Sequence, residues 1–382
     1  MPHTGPIGPF LALLRREAAF LASAGSAAIV YLIGSQWFVE LTPYPLRTIG
    51  LLVWIFAVML WASFAVMRHA DGLAELLGEP YGTLVLTLSV ITIEVAVIAA
   101  MVLHGSDNPT LARDTMLAVL MIVLNGIIGL SLLIGGIRHG EQDFNLQGAR
   151  SFVSVIVTLA TLTLILPRFT TSTPDPSLSR GQEAFFVTIT AMLYLTFLAI
   201  QTVRHRGFFM QPTLSVDVSA APAGREGNHR PPLSIGQHTF FLIVMLVSVV
   251  LLSKKLAIVT EYEMAQIHAP DALGGILVAV LVLAPEGLAA LHAASLNRLQ
   301  RAVNICLGSA LATIGLTVPA VMTISLLFNT HVILGLDLSH MVLLVLTLLL
   351  SAITFGGGRT NMLQGAVHLV VFLVYMMLVF VP

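Results

Sequence analysis

Two glutamates stand where charge is rarely found. Glu94 lies in LSVITIEVAVIAAM and Glu286 in VLAPEGLAAL, each near the centre of a long apolar run. A carboxylate at the middle of a bilayer costs on the order of 3 kcal/mol or more. It is tolerated where it faces a polar cavity, holds a proton or binds a cation. Carboxylate oxygens are hard ligands, suited to Ca2+ and to alkali cations. They also bind protons: burial favours the neutral acid, and a neighbouring cation favours the carboxylate. Two such groups balance one divalent cation or two protons, and exchange between those loads needs no further ionisable chemistry. A lone buried glutamate can also be structural, neutral and hydrogen-bonded to a neighbouring helix. Two at matched positions favour a shared site.

The neighbours of each acid differ. Pro285 has no N–H, so the carbonyl of Leu281 loses its helical partner, and Ala284 is biased away from helical geometry. A freed carbonyl beside a carboxylate gives a cation two oxygens. Pro319 is placed to free the carbonyl of Gly315 in the same way. Glu94 has no such proline; its candidates are the hydroxyls of Ser89 and Thr92. Asn125, Ser309 and Thr313, in the runs that follow the two acids, are further candidates for lining the site. Small polar residues serve equally as contacts between membrane helices. Glu79, in LLGEPYG, is expected at the inner mouth, to cap a helix or attract cations. His104, His292, His340 and His368 read as interfacial or structural.

The elements that position these residues are apolar helices. Of 382 residues, 57 % are hydrophobic and 10 % charged, and the mean hydropathy is +0.94; a soluble domain carries about 25 % charged residues. The runs are long and leucine-rich, not the alternating strands of about 10 residues that build a barrel. The chain reads as an all-α polytopic membrane protein with the lipid bilayer as its solvent. Eleven spans are expected, at 18–40, 47–68, 83–104, 114–137, 149–167, 182–203, 236–254, 270–293, 302–327, 338–356 and 362–381. The first follows Arg15 and Arg16 and contains an ASA sequence of the kind signal peptidases cut, but its apolar run continues to Trp37, so it is expected to be retained. The stretch 204–235 has no apolar period and is expected to be a flexible cytoplasmic loop.

Orientation follows from the basic residues. With the N-terminus inside, Arg47, Arg113, Arg168, Arg180, Lys254 and Lys255 fall in outer loops, and the other 12 of the 18 Lys and Arg fall inside. This predicts a cytoplasmic N-terminus and, with an odd span count, an outer C-terminus in a bacterial inner membrane. If four extra residues are allowed in the first loop, Asn125 falls opposite Thr313 and Met121 opposite Ser309. The layout is then an N-terminal extra helix (1–45), a first five-helix repeat (46–203), the loop, and a second repeat (236–382). An odd repeat inserts its second copy upside down, as in many secondary transporters. A net charge of −1 offers no face for nucleic acid. One cysteine, Cys306, and scattered histidines make no zinc constellation. No H-E-x-x-H, G-x-S-x-G or P-loop is present, so an enzyme is not expected.

Several stretches, in order, carry a specific resemblance: LGEPYGTLVLTLSVITIEVAVI, PTLARDT, LAPEGLAAL, QRAVNICLGSALATIGLTVPAV and GGGRTNMLQGAVHL. Over roughly 70–382 the chain resembles bacterial calcium/proton antiporters of the ChaA type, within the cation/calcium exchanger superfamily. The resemblance implies two inverted repeats whose acids, by position Glu94 and Glu286, alternately bind cation and proton. Ser309, in LGSALAT, is similar to the family's G-S segment, and Asn125 matches an asparagine that follows the first acid. Two features depart from the wider superfamily. The G-N pair before each acid is replaced by Val90–Ile91 and Val282–Leu283, and the 204–235 loop is net basic. The expected function is secondary cation/proton antiport by alternating access, with Ca2+ as the first cation and Na+ or K+ as the alternative. No cofactor is expected beyond the transported ions. A non-transporting membrane protein is the competing class, and the oligomeric state is not legible.

Overall fold

The computed structural model describes residues 17–38, 41, 45–78, 81–104, 109–204, 206–209, 233–270 and 272–381. Glu79, Arg15, Arg16 and most of the 204–235 loop lie outside them. The described residues form helical rods: α1 (Ala18–Leu32), α2 (Pro45–Leu77), α3 (Tyr81–His104), α4 (Leu111–His139), α5 (Leu146–Phe169), α6 (Arg180–Arg204), α7 (Ile235–Gln266), α8 (Ala272–Ser295), α9 (Leu299–Phe328), α10 (Leu338–Thr354) and α11 (Met362–Phe380). Eight are long and apolar enough to cross a membrane; α1, α10 and the described central part of α3 form shorter apolar segments.

Two expectations about the spans are corrected. The first helix stops at Leu32, and Gly34–Phe38 continues as a 3-10 turn. Its 15 residues reach about 22 Å, and the five-residue 3-10 turn adds about 10 Å, so the two together match the roughly 30 Å hydrocarbon core. Lys254 and Lys255, assigned to a loop, lie inside α7, which runs on to Gln266. The apolar stem of Lys255 lets it stay helical while its ammonium rests over the rings of Phe38 and Tyr31, 4.6 and 5.4 Å from their centroids.

The core is built around α4 and α9. Their apolar windows are 72 % and 61 % buried, against 28 % for α6 and α11, so the first pair is central and the second peripheral. Both central helices contain a π turn, at Ile122–Ile127 and Thr313–Thr317. Such turns insert one residue into the ladder and cluster at functional sites. In α9 the turn falls directly before Pro319, whose missing N–H already disrupts the ladder there. In α8, by contrast, the helix runs unbroken through Pro285. Helix α3 packs on α2, α7 and the π turn of α9, while α8 packs on α2, α4 and α9, so the helices carrying the two acids also touch each other. Glycines permit the closest approaches. A Cβ at Gly275 of α8 would meet the backbone nitrogen of Thr115 in α4 at 2.8 Å, and one at Gly365 of α11 would meet that of Leu133 at 2.6 Å.

The connections fall into two groups tied by hydrogen bonds. At one end the turn after α4 pairs with the turn after α10 as a two-stranded ribbon, Gln142 opposite Thr360 and Asp143 opposite Arg359. Gln142 also donates to the carbonyl of Ala294 at the end of α8. Glu17, Arg68, His69 and His238 meet near this end of α1, α2 and α7. At the other end, the backbone N–H of Ile333 donates to Pro109, that of Gly335 to Pro176 and that of Leu336 to Leu164. Asn145, Ser234 and Asn361 cap their helices through side-chain oxygens, which stops the rods where the turns require. Replacing Gly275 by leucine is expected to cost about 1–3 kcal/mol through overpacking of α8 on α4. The check is a lowered unfolding midpoint of the purified protein in detergent.

Candidate cation site

Each acid is carried by a helix that shows one stripe to a common cavity. The cavity holds about 290 Å3 and is lined by Thr87, Val90, Ile91 and Glu94 of α3, Glu286 and Ala289 of α8, and Arg301, Ile305, Gly308, Ser309 and Ala312 of α9. Residues of α2, α5 and α6 complete the wall, including Asp71, Phe152, Tyr194, Phe197 and Gln201. Spacings of three, four and seven residues keep these side chains on one face of each helix. Glu94 is 3 % exposed, and one oxygen of each glutamate, Oε1 of Glu94 and Oε2 of Glu286, is buried with no hydrogen-bond partner among the described residues. Buried polar atoms without partners are rare. Both acids have an oxygen free to take a proton or a cation.

The hydroxyls that reach the acids come from α9. Thr313 Oγ1 donates to Glu94 Oε2 at 3.2 Å. Thr317, one turn further on, lies near the same carboxylate with its hydroxyl unpartnered among the described residues, and Ser309, one turn earlier, lines the cavity beside Glu286. The three fall at i, i+4 and i+8, so one face of one helix serves both acids. The two glutamates sense each other's charge across the cavity.

Other expected residues are placed elsewhere. Thr92 is exposed and bonds back to the carbonyl of Leu88 at 2.6 Å; Ser89 is buried but bonds to that of Val85 at 2.7 Å. Neither lines the cavity. Helical geometry explains this: at roughly 100° per residue, Thr92 points roughly 160° and Ser89 roughly 140° away from Glu94. Thr87, seven residues before the acid, returns to within roughly 20° of it, and this is the hydroxyl that lines the cavity. Leu281 and Pro285 are buried within α8 and are not part of the wall.

Asn125 is also turned away. Its Nδ2 donates to Thr347 Oγ1 at 2.8 Å, and its Oδ1 accepts from His368 Nδ1 at 3.1 Å. An amide oxygen only accepts, so His368 carries its proton on Nδ1, and Nε2 accepts from Thr354 at 3.0 Å. Asn125 and His368 are both 0 % exposed. The pair therefore ties α4 to α10 and α11, with every polar atom of the asparagine and the imidazole engaged. Asn125, expected opposite Thr313, makes an inter-helix bond where Thr313 bonds an acid. The sequence reading missed Thr87, Thr317, Tyr194 and Gln201. The seven-residue return from Glu94 and the four-residue repeat from Ser309 were the signals that could have found the first two.

The family described as sodium/calcium exchanger protein matches residues 47–203 and again 237–381. The putative ionic transporter y4hA of Sinorhizobium fredii is 41 % identical over 339 residues, covering 88 % of this chain and 90 % of that protein. The sodium-potassium/proton antiporter ChaA of Escherichia coli is 40 % identical over 323 residues, covering 84 % and 86 %. The solved structure of native YfkE shares the fold with a TM-score of 0.73 at 19 % identity, the match covering 95 % of this chain and all of that one. The chain belongs to the sodium/calcium exchanger protein family.

The geometry separates two kinds of polar residue. Asn125→Val removes the amide oxygen that accepts from His368 Nδ1 and the amide N–H that bonds Thr347, and is expected to cost about 1–3 kcal/mol of stability. Thr313→Val removes one 3.2 Å hydrogen bond to Glu94 Oε2, an acid beside the cavity, and is expected to cost clearly less. Thermal unfolding of the two purified variants side by side checks the order.

Proposed function

We propose that the protein is a cation/proton antiporter in which Glu94 and Glu286 alternately hold protons and a cation. The observation that carries this reading is that two carboxylates, each with one buried and unpartnered oxygen, line one cavity and are served by hydroxyls of a single helix. In apolar surroundings two negative charges in one cavity are unfavourable without a counterion. Protons neutralise them in one load and a cation in the other. Thr313, Thr317 and Ser309 add neutral oxygens that suit a hard cation. Arrival of the cation therefore expels protons, and their return expels the cation. Transport follows if the loaded and protonated forms open to opposite sides.

Ca2+ is the first cation of this proposal, because two carboxylates match a divalent charge. Na+ or K+ is the second reading, favoured by the name of the Escherichia coli relative, a sodium-potassium/proton antiporter at 40 % identity.

The membrane layout belongs to the same proposal: eleven crossings in an inner membrane, N-terminus cytoplasmic, as two inverted repeats over 46–203 and 236–382. The family's two matches, at 47–203 and 237–381, support two copies. The hydrogen bonds between connections support the alternation. The turn after α4 meets those after α8 and α10, all on the side expected to be cytoplasmic. The turns after α3, α5 and α9 meet on the other. The cavity, lined at one end by Asp71, Gln201 and Arg301, opens to the cytoplasmic side in this layout.

The test uses everted membrane vesicles holding a pH gradient. Addition of Ca2+, Na+ or K+ is expected to dissipate it in the wild type, and Glu286→Gln and Glu94→Gln each to abolish that response. Unchanged dissipation in either variant would overturn the site.

A further inference from the structure

The cavity has a second charged level, at its mouth. Asp71 of α2 and Arg301 of α9 line the same cavity as the two acids and stand close enough for their charges to interact. With Glu94 and Glu286 they are its charged lining residues among those described. Arg301 precedes Ser309 by eight residues, about 12 Å along the stripe of α9 that faces the cavity. Asp71 follows Met67 on the corresponding stripe of α2. Glu75, one turn beyond Asp71, adds its own field.

A guanidinium on a cation's path is unexpected. It stays charged at any physiological pH, and low-dielectric walls focus its field into the cavity. Left alone it would repel a cation, and a divalent one most. Asp71 is the charge placed to offset it.

We propose that Asp71 and Arg301 form a charge pair that sets how strongly cations are concentrated at the mouth, Asp71 drawing them in and Arg301 holding them back. This deepens the antiport reading and rests on it. The two residues act on the local concentration of the ion, not on its coordination by the glutamates. Concentration in a fixed potential rises exponentially with ion charge, so a change that moves the apparent affinity for a monovalent cation by some factor moves that for a divalent one by its square.

The experiment measures transport rate against cation concentration in everted vesicles, at low and high ionic strength set with choline chloride. Asp71→Asn is expected to raise KM about threefold for Na+ or K+ and about tenfold for Ca2+ at low salt, with the maximal rate within about twofold. Arg301→Gln is expected to shift KM the opposite way. Asp71→Glu is expected to restore it. Both shifts should collapse at high salt, where the field is screened. If a single cation is transported, the opposite shifts and their loss in salt decide. A fall in maximal rate with KM unmoved, or a KM shift that survives high salt, would overturn the pair alone. Wild-type vesicles that dissipate no gradient would overturn the antiport reading and the pair with it.

Discussion

Taking a carboxylate out of water is unfavourable by several kcal/mol unless something takes up its charge, and this chain lines one cavity between apolar helices with two, each with a buried oxygen. Much of the fold answers that constraint. The acids sit on different helices, α3 and α8, which cross against each other. The hydroxyls come from a third helix, α9, one of the two most enclosed, so lipid does not reach the site. The π turn at Thr313–Thr317 places two of those hydroxyls beside Glu94. Close packing of α8 on α4 at Gly275 holds the second acid's helix in place.

The two halves meet this demand unequally. In the second half, Thr313 in the helix after Glu286 donates to Glu94. In the first half, the matching Asn125 is spent on Thr347 and His368. That buried network is fully satisfied, and its cost if broken is that of an orphaned polar group. Thr313 of α9 bonds an acid beside the cavity, while Asn125 of α4 ties its helix to α10 and α11. Pro285, beside the second acid, breaks no helix. The departure from α-helical pairing lies in the π turns, away from it.

The class of fold was legible from composition and run length, and the two acids from their contrast with apolar surroundings. Ser309 and Thr313 were legible as polar residues in the run after the second acid. Ser89 and Thr92 were chosen by nearness in sequence, although helical rotation turns them from Glu94 and turns Thr87 toward it. Asn125 could not be placed from sequence, because an asparagine satisfies equally a cavity or a neighbouring helix. Asp71 and Arg301 were hidden because charges at helix ends normally face water. Lys255 was misassigned because its flexible stem permits a charge inside a helical run.

The central claim is that cation and protons compete for the same two carboxylates. It is tested most directly by calorimetric titration of the purified protein with Ca2+, and separately with Na+ and K+, in two buffers of different ionisation enthalpy. Proton release on binding appears as a buffer-dependent heat. The account predicts proton release in the wild type and loss of both binding and release in the Glu94→Gln/Glu286→Gln double variant. Binding with no buffer dependence, or binding that survives in the double variant, would contradict it.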